Sequence, residues 1–228
     1  FAHFSQAESK QDLPTLKVLG WNNLDTPLHL DAVAEDLTSK LAWPEDDRER
    51  GLAEAYCTAE KVCCVSHSNL GLLERQLGMS LPNGTVVRNP FNVSPDQPHT
   101  WPQESDVWRL ACVARLHPPS KGQDVLFQVL ARPQWRDRAV EVNLYGSGPS
   151  ELTLRRLADH LQVKMVHFRG HESNVAAIWE HNHMLVLPSR YEGLPITLVE
   201  AMWCGRPAIV TDVGGNAELC VNMETGFV

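Results

Sequence analysis

The stretch Arg190-Tyr191-Glu192-Gly193-Leu194-Pro195-Ile196-Thr197-Leu198-Val199-Glu200-Ala201-Met202 decides the fold, because of what stands on either side of it. The apolar run 183–187 precedes it and has the length of a buried strand. Ile196 to Cys204 then carries a helical pattern that Gly205 stops. The stretch is therefore a strand's carboxyl end opening into a helix. Gly193 lets backbone approach a ligand closely, and a helix N-terminus turns amides and a positive dipole end toward phosphate. Glu192 and Glu200 are separated by seven residues, one in the loop and the other about one turn into the helix, so both can face one cleft. A carboxylate such as Glu200 can accept hydrogen bonds from the vicinal hydroxyls of a ribose. A solvated Glu192 and a helix-capping Glu200 would give the same spacing, so the neighbouring segments must arbitrate.

Working outward, apolar runs recur at 107–114, 140–145, 163–168 and 207–211. Between them lie helical patterns. In Lys121 to Ala131 the residues Val125, Leu126, Val129 and Leu130 share a face, and in Glu151 to Leu161 so do Leu154, Leu157, Ala158 and Leu161. Such alternation predicts an α/β fold with a parallel sheet covered by helices on both sides. Ligands in such sheets sit beyond the carboxyl ends of the strands. Residues 92–106 contain three prolines among polar residues and read as a linker. Upstream, Lys61 to Val65 reads as a strand. A helix follows from Ser68, with Leu70, Leu73 and Leu77 facing inward and Gly78 stopping it. Residues 31–42 and 45–60 also read as helical, and 1–30 carry no clear pattern. The expected organisation is a partial first domain over 1–91, a linker over 92–106 and a second domain over 107–228.

Three more strand-to-helix loops carry suggestive chemistry. In Ala114-Arg115-Leu116-His117-Pro118-Pro119-Ser120-Lys121-Gly122, Arg115 supplies a planar fork and Lys121 a point charge, a combination suited to a diphosphate. Two surface cations on a loop are the plainer explanation. Tyr145-Gly146-Ser147-Gly148-Pro149 permits a tight turn with exposed amides, and a purely structural turn explains it equally well. Thr211-Asp212-Val213-Gly214-Gly215-Asn216-Ala217-Glu218 again puts glycines before a helix, which suggests close backbone approach, with Glu218 as a surface residue. No complete Gly-x-Gly-x-x-Gly fingerprint occurs, which disfavours a nicotinamide-dependent dehydrogenase.

Composition removes other classes. The chain is 43% hydrophobic and 21% charged, ordinary for a globular protein. A net charge of −8 repels a nucleic-acid backbone, so nucleic acid is not an expected partner. No apolar run approaches the roughly 18 residues that span a bilayer. Cysteines 57, 63, 64, 112, 204 and 220 lack Cys-x-x-Cys spacing and have apolar neighbours, which predicts buried reduced thiols and a cytoplasmic location. Asn83-Gly84-Thr85 then reads as a turn rather than a glycosylation site. His181 and His183 lack a third ligand nearby, so no metal site is expected. The absence of an initial Met and the apolar Gly226-Phe227-Val228 ending suggest that both termini are breaks in a longer chain.

Taken in order, the segments "ARLHPPSKGQD", "LYGSGP", "VHFRGH", "VLPSRYEGLPITLVEAMWCGRPAIVTDVGGNAEL" and "TGFV" resemble the donor domain of family 4 retaining glycosyltransferases. These are glycosyl transferases of group 1 with the GT-B architecture of two Rossmann-like domains. The front segment "AEKVCCVSHSNLGLLERQLG…VVRNPFN" is similar to the end of that family's acceptor domain, so the likeness covers roughly residues 50–228. It implies a first domain only partly present and a second lacking its closing C-terminal helix. It also implies transfer of a sugar, of the hexosyl kind, from a nucleoside diphosphate to an acceptor with retained anomeric configuration. In this resemblance Arg115 and Lys121 hold the donor diphosphate and act on the leaving group. Glu192 lies beside the donor sugar and Glu200 binds the ribose. Backbone from Gly193 through Leu194 and Pro195 to Ile196 meets the sugar or its phosphate, and Gly146 is counted with the donor-contacting positions. Leu194-Pro195 stands where many members have Phe-Gly, so one backbone donor is lost, although proline suits a first helical turn. The nucleotide sugar is a co-substrate; no cofactor or metal is implied. The acceptor (glycan, lipid or small molecule) is left open, as is peripheral membrane contact. The family's histidine lies in the first domain, so the expectation is that these residues alone do not turn over. A nucleotide-sugar-binding module, or an epimerase of the same architecture, are the alternatives; a phosphorylase would need a pyridoxal-phosphate lysine that cannot be placed.

Overall fold

The computed structural model describes residues 16–18, 48–93 and 100–228. The chain divides into two compact units, Phe1–Asn89 and Pro90–Val228. The helix expected over 31–42 lies outside the described residues.

In the first unit the strands β1 (Leu16–Val18), β2 (Lys61–Cys64) and β3 (Gly84–Val86) form a parallel sheet in that order. Helix α1 (Arg48–Cys57) falls inside the expected 45–60 segment. Helix α2 (His67–Leu77) starts one residue before expectation, because the Ser66 hydroxyl caps it by accepting the Asn69 amide. Gly78 ends α2 in the left-handed conformation, with φ of 65°. Leu73 is buried and Leu70 and Leu77 pack against the same cluster as Leu52, Tyr56 and Val62. The turn expected at Asn83-Gly84-Thr85 is shorter than that. Pro82 and Asn83 make it, and Gly84 already begins β3. The Asn83 amide donates to the carbonyls of Tyr56 and Ala59, at 2.8 and 2.7 Å, which fixes the turn at that residue.

The second unit is built on six parallel strands, β4 (Trp108–Val113), β5 (Val140–Tyr145), β6 (Val166–Gly170), β7 (Met184–Leu187), β8 (Ala208–Val210) and β9 (Gly226–Phe227). Their spatial order is β6-β5-β4-β7-β8-β9. The helices are α3 (Pro118–Lys121), α4 (Gln123–Leu130), α5 (Pro133–Arg136), α6 (Glu151–His160), α7 (Val175–His181), α8 (Ile196–Trp203) and α9 (Asn216–Leu219). Side chains alternate across the sheet. Ala111, Leu185 and Leu187 point to a core shared with Ile178, Trp179, Leu198 and Ala201 of α7 and α8. Cys112, Val142, Leu144 and Val186 point to the opposite core, with Leu126, Phe127, Leu154 and Ala158 of α4 and α6. Both faces are therefore covered, as the continuous apolar strands predict.

Several details differ from the sequence reading. Lys121 to Ala131 is not one helix, because Gly122, at φ of 65°, separates α3 from α4. The inward face of α4 is Gln123, Leu126, Phe127 and Leu130, whereas Val125 is exposed. Phe127 takes the core position and rotates the helix away from the expected stripe. The run 163–168 is strand only from Val166, and Val163 packs in the core ahead of it. Helix α7 is not among the helical patterns read from the sequence, although Val175, Ile178 and Trp179 share its inward face; the Asn174 side chain caps it by accepting the Ala177 amide. The described ends of the stretch read as a linker pack on the second unit. Val93 sits in its core, Phe91 stacks on Trp203 with centroids 5.3 Å apart, and Trp101 lies over the Arg206 guanidinium.

Candidate functional site

The sheet order contains one reversal. The chain builds outward from β4 through β5 to β6, then returns to lay β7 on the other side of β4 and continues outward to β8 and β9. At such a reversal the loops leaving two adjacent strands turn in opposite directions and open a crevice at the carboxyl edge. The two strands here are β4 and β7, which deliver the loop with Arg115 and Lys121 and the loop with Glu192.

Packing joins these loops closely. A side chain on Gly122 would place its first carbon 1.9 Å from the Pro188 carbonyl oxygen, so only glycine fits. The amides of Arg190 and Tyr191 both donate to the Ser120 carbonyl, at 2.8 and 3.3 Å. The Arg190 guanidinium forks onto both oxygens of Asp124, at 2.7 and 2.8 Å, and also donates to the Pro118 carbonyl. That guanidinium holds the Asp124 carboxyl below its ordinary range, chiefly through the hydrogen bond. Gly214 closes the arrangement from β8. At φ of 53°, a side chain there would meet the Glu192 carbonyl at 1.9 Å, and the next amide, of Gly215, donates to the Gly193 carbonyl at 2.7 Å.

The result is a direct contact between Lys121 and Glu192. The ammonium lies 3.0 and 3.1 Å from the two carboxylate oxygens, and the Ser189 hydroxyl donates to one of them at 2.6 Å. Side-chain exposure is 18% for Lys121 and 6% for Glu192, so the pair is largely screened from water. Cys112 lies within electrostatic reach of both; burial first of all pushes its thiol up to about 12, which keeps it protonated and inert.

The other expected positions are distributed around this pair. Arg115 is exposed on the loop after β4, and its carbonyl is pinned by the Gln123 amide at 2.8 Å. Gly193, Leu194 and Pro195 are buried. Pro195 caps α8 rather than entering its first turn, its carbonyl accepting from Leu198 and Val199. The amides of Ile196 and Thr197 have no acceptor among the described residues, and form the open helix end. Glu200 points from α8 into an almost sealed position, 3% exposed, where the Asn92 amide donates to Oε1 at 3.2 Å. Burial raises its carboxyl above the ordinary value, and the Asn92 amide partly offsets this. Gly146 has another local task. Its amide donates to Gly170, and a side chain there would press 2.2 Å from the Ala114 carbonyl, so the glycine serves close packing beneath the Arg115 loop.

The residues that sequence reasoning passed over are the ones that set this geometry: Arg190, Asp124, Ser189, Gln123 and Asn92. Gly122 stood inside a quoted segment without an assigned role, whereas the close backbone approach expected at Gly214-Gly215 is found against the Glu192 carbonyl. Of the cysteines only Cys57 is exposed, against the expectation for that residue; it lies at the end of α1. His183 is structural, buried between Trp101 and Trp108 and accepting the Arg109 amide. Among the described residues no cluster of three His, Cys, Asp or Glu side chains could hold a metal ion, and no helix is long and apolar enough to cross a membrane.

Comparison with known proteins gives the family and the fold. Residues 108–228 match the family model described as Glycosyl transferases group 1. The N-acetyl-alpha-D-glucosaminyl L-malate synthase of Bacillus anthracis is 36% identical over 86 residues, 37% of this chain and 23% of that protein. The GDP-mannose-dependent alpha-(1-6)-phosphatidylinositol monomannoside mannosyltransferase of Mycolicibacterium smegmatis is 32% identical over 129 residues, covering 52% and 34%. The chain thus spans about a quarter to a third of these relatives' length. Among solved structures, Anabaena HepE in complex with UDP-glucose superposes with a TM-score of 0.66 at 22% identity, covering 81% of this chain and 54% of that one. The lipopolysaccharide outer core galactosyltransferase WaaB superposes at 0.63 with 22% identity, covering 75% and 49%. The fold is that of GT-B glycosyltransferases, and the chain belongs to the group 1 glycosyl transferases.

Proposed function

We propose that the protein transfers a sugar, of the hexosyl kind, from a nucleoside diphosphate to an acceptor hydroxyl with retention of anomeric configuration. The bond from the anomeric carbon to the diphosphate oxygen breaks, a glycosidic bond to the acceptor oxygen forms, and the acceptor proton leaves with the diphosphate or solvent. The observation that carries this reading is the Lys121–Glu192 pair at the β4–β7 reversal, beside the open N-terminus of α8. Negative charge on the leaving diphosphate develops in the transition state. Arg115, Lys121 and the amides of Ile196 and Thr197 supply positive charge and donors for it. Glu192 takes two of the ammonium's contacts and so fixes Lys121, leaving ammonium hydrogen-bonding capacity toward the crevice. Glu200 Oε2 has no partner among the described residues, which suits a ribose hydroxyl.

The test is a thermal-shift panel of UDP, GDP and ADP and their sugars. A selective nucleotide at about 100 times its Kd stabilises by about 2.7 kcal/mol. That is a rise of roughly 5–10 °C in Tm for a chain of this size. Absence of a shift from every member of the panel removes the donor reading. In a transfer assay of the full-length enzyme, Lys121→Ala lowers turnover by about 10²-fold or more, and an unchanged rate at saturating donor rejects that role. Retention is read from the anomeric configuration of the product by NMR.

A further inference from the structure

A further cavity, whose lining shares no residue with the Lys121–Glu192 crevice, lies on the sheet face covered by α7. Its volume is ≈ 330 Å³, and Arg109, Asn143, Tyr145, Arg169, Glu172 and His181 line it together with Ala177 and Ile178. This is at the small end of the range for sites that hold organic molecules, about 300–1,000 Å³. None of Arg115, Lys121, Glu192 or Glu200 reaches it.

Among the described residues each arginine is tethered through one nitrogen. Arg109 Nε donates to the His181 carbonyl at 2.7 Å, and Arg169 Nε donates to Asn143 Oδ1 at 2.8 Å. The terminal nitrogens of both guanidinium groups have no acceptor among the described residues. The tethers rest on a buried network. Asn143 donates to Asn182 Oδ1 at 2.8 Å, and Asn182 donates to the Ile178 carbonyl and the Tyr145 hydroxyl, at 2.7 and 3.1 Å. Asn143 and Asn182 are 2% and 0% exposed, so their orientation is set by the fold. The Tyr145 oxygen accepts there, which leaves its hydrogen to donate. Glu172 is the opposing charge, and it is partly turned away, accepting the Asn174 amide at 2.7 Å.

A pair of tethered, planar guanidinium forks with a phenol donor beside them can each grip two oxygens of a phosphate or carboxylate. We propose that this cavity is a second anion site, taking a small organic molecule through a phosphate or carboxylate group held between Arg109 and Arg169. The site is independent of the donor crevice and of the reading given to it.

Calorimetric titration with inorganic phosphate, glycerol phosphate and citrate tests this. One saturable site is expected for at least one probe. Arg109→Gln and Arg169→Gln each weaken it by about tenfold or more, the effect of losing a charged hydrogen-bond donor. Glu172→Gln tightens it by about two- to fivefold, the range for removing an exposed like charge, a gain that misfolding cannot produce. Lys121→Ala/Glu192→Gln leaves it unchanged. Absence of saturable binding by all three probes overturns the proposal, as does binding indifferent to both arginine variants. Loss of binding in Lys121→Ala/Glu192→Gln alone assigns the anion to the donor crevice and overturns it equally.

Discussion

In Lys121→Ala the Glu192 carboxylate loses the ammonium that reaches its oxygens at 3.0 and 3.1 Å and, among the described residues, keeps only the Ser189 hydroxyl at 2.6 Å. Removing one partner from a fully buried pair costs about 3–5 kcal/mol, because a charge is left without compensation. An exposed pair contributes about 0–1 kcal/mol. With exposures of 18% and 6% this pair lies nearer the buried limit. A cost of about 2–3 kcal/mol follows after discounting for water at the ammonium. For a chain of this length that lowers Tm by roughly 5–10 °C. Neutralising the stranded acid in the same molecule should recover part of the loss. Lys121→Ala/Glu192→Gln is therefore more stable than the two single effects added together, by about 1 kcal/mol or more. Urea denaturation of the four proteins measures that coupling directly. A coupling inside about 0.5 kcal/mol, the usual scatter for independent sites, refutes the claim that this ion pair organises the crevice.

Gly214→Ala introduces both a clash 1.9 Å from the Glu192 carbonyl and a left-handed alanine, and costs more than about 2 kcal/mol. Gly78→Ala, with φ of 65° but nothing within 4 Å, costs only the conformational part, about 1–2 kcal/mol; equal losses in a melting experiment contradict the packing argument. Arg190→Gln leaves the fold largely intact, since the pair with Asp124 is partly exposed, yet weakens nucleotide affinity by loosening the loop that carries Lys121. The sign of its pH effect follows from the lowered Asp124 carboxyl. The stability that the pair contributes is present above 3.8 and disappears as pH falls through the lower folded value, so acid titration should show this loss in the parent and not in Arg190→Gln. For Glu200 the sign is reversed. Its folded carboxyl is raised by burial, so the folded state binds the proton more tightly and stability declines as pH rises from 4.5 through the folded value. Glu200→Gln removes that decline, raising Tm at neutral pH relative to the parent while weakening nucleotide binding; a variant less stable at pH 7 than the parent contradicts it.

Much of the second unit was legible because it is locally consistent. Apolar strands, helix patterns and glycine stops all point to one parallel sheet, and β4, β5, β7 and β8 fall where the apolar runs lie. What was lost is what depends on tertiary partners. Val125 and Leu126 are equally apolar, and only the docking of Phe127 against the sheet decides which one turns outward. Strand β3 is short and begins at a glycine, so its pairing with β2 left no sequence trace. In the site, Lys121 and Glu192 are visible as chemistry, but their contact spans 71 positions. It is created by Gly122, Arg190 and Gly214, whose roles are close approach and clamping rather than ligand chemistry. A glycine forced by a carbonyl 1.9 Å away cannot be told from a turn glycine until the neighbouring loop is in place.

Glu200 shows how such packing and binding chemistry share one side chain. Its carboxylate is nearly sealed, which is unfavourable for a charge unless hydrogen bonds compensate. The Asn92 amide supplies one such bond, and Asn92 is held there by its neighbours, Phe91 against Trp203 and Val93 in the core. The segment 91–93 thereby pins Oε1 and fixes the carboxylate's orientation, while Oε2 remains without a partner among the described residues. An acid stabilised through one oxygen and unsatisfied through the other gains from a ligand hydroxyl at the second oxygen. If a ribose supplies that hydroxyl, binding should favour the ionised carboxylate and draw its raised value back down. Nucleotide affinity would then strengthen as pH rises through the free protein's Glu200 titration, and Glu200→Gln would abolish that dependence. An affinity that is flat across this range in the parent protein would separate Glu200 from the nucleotide altogether and leave it as an internal strut of α8.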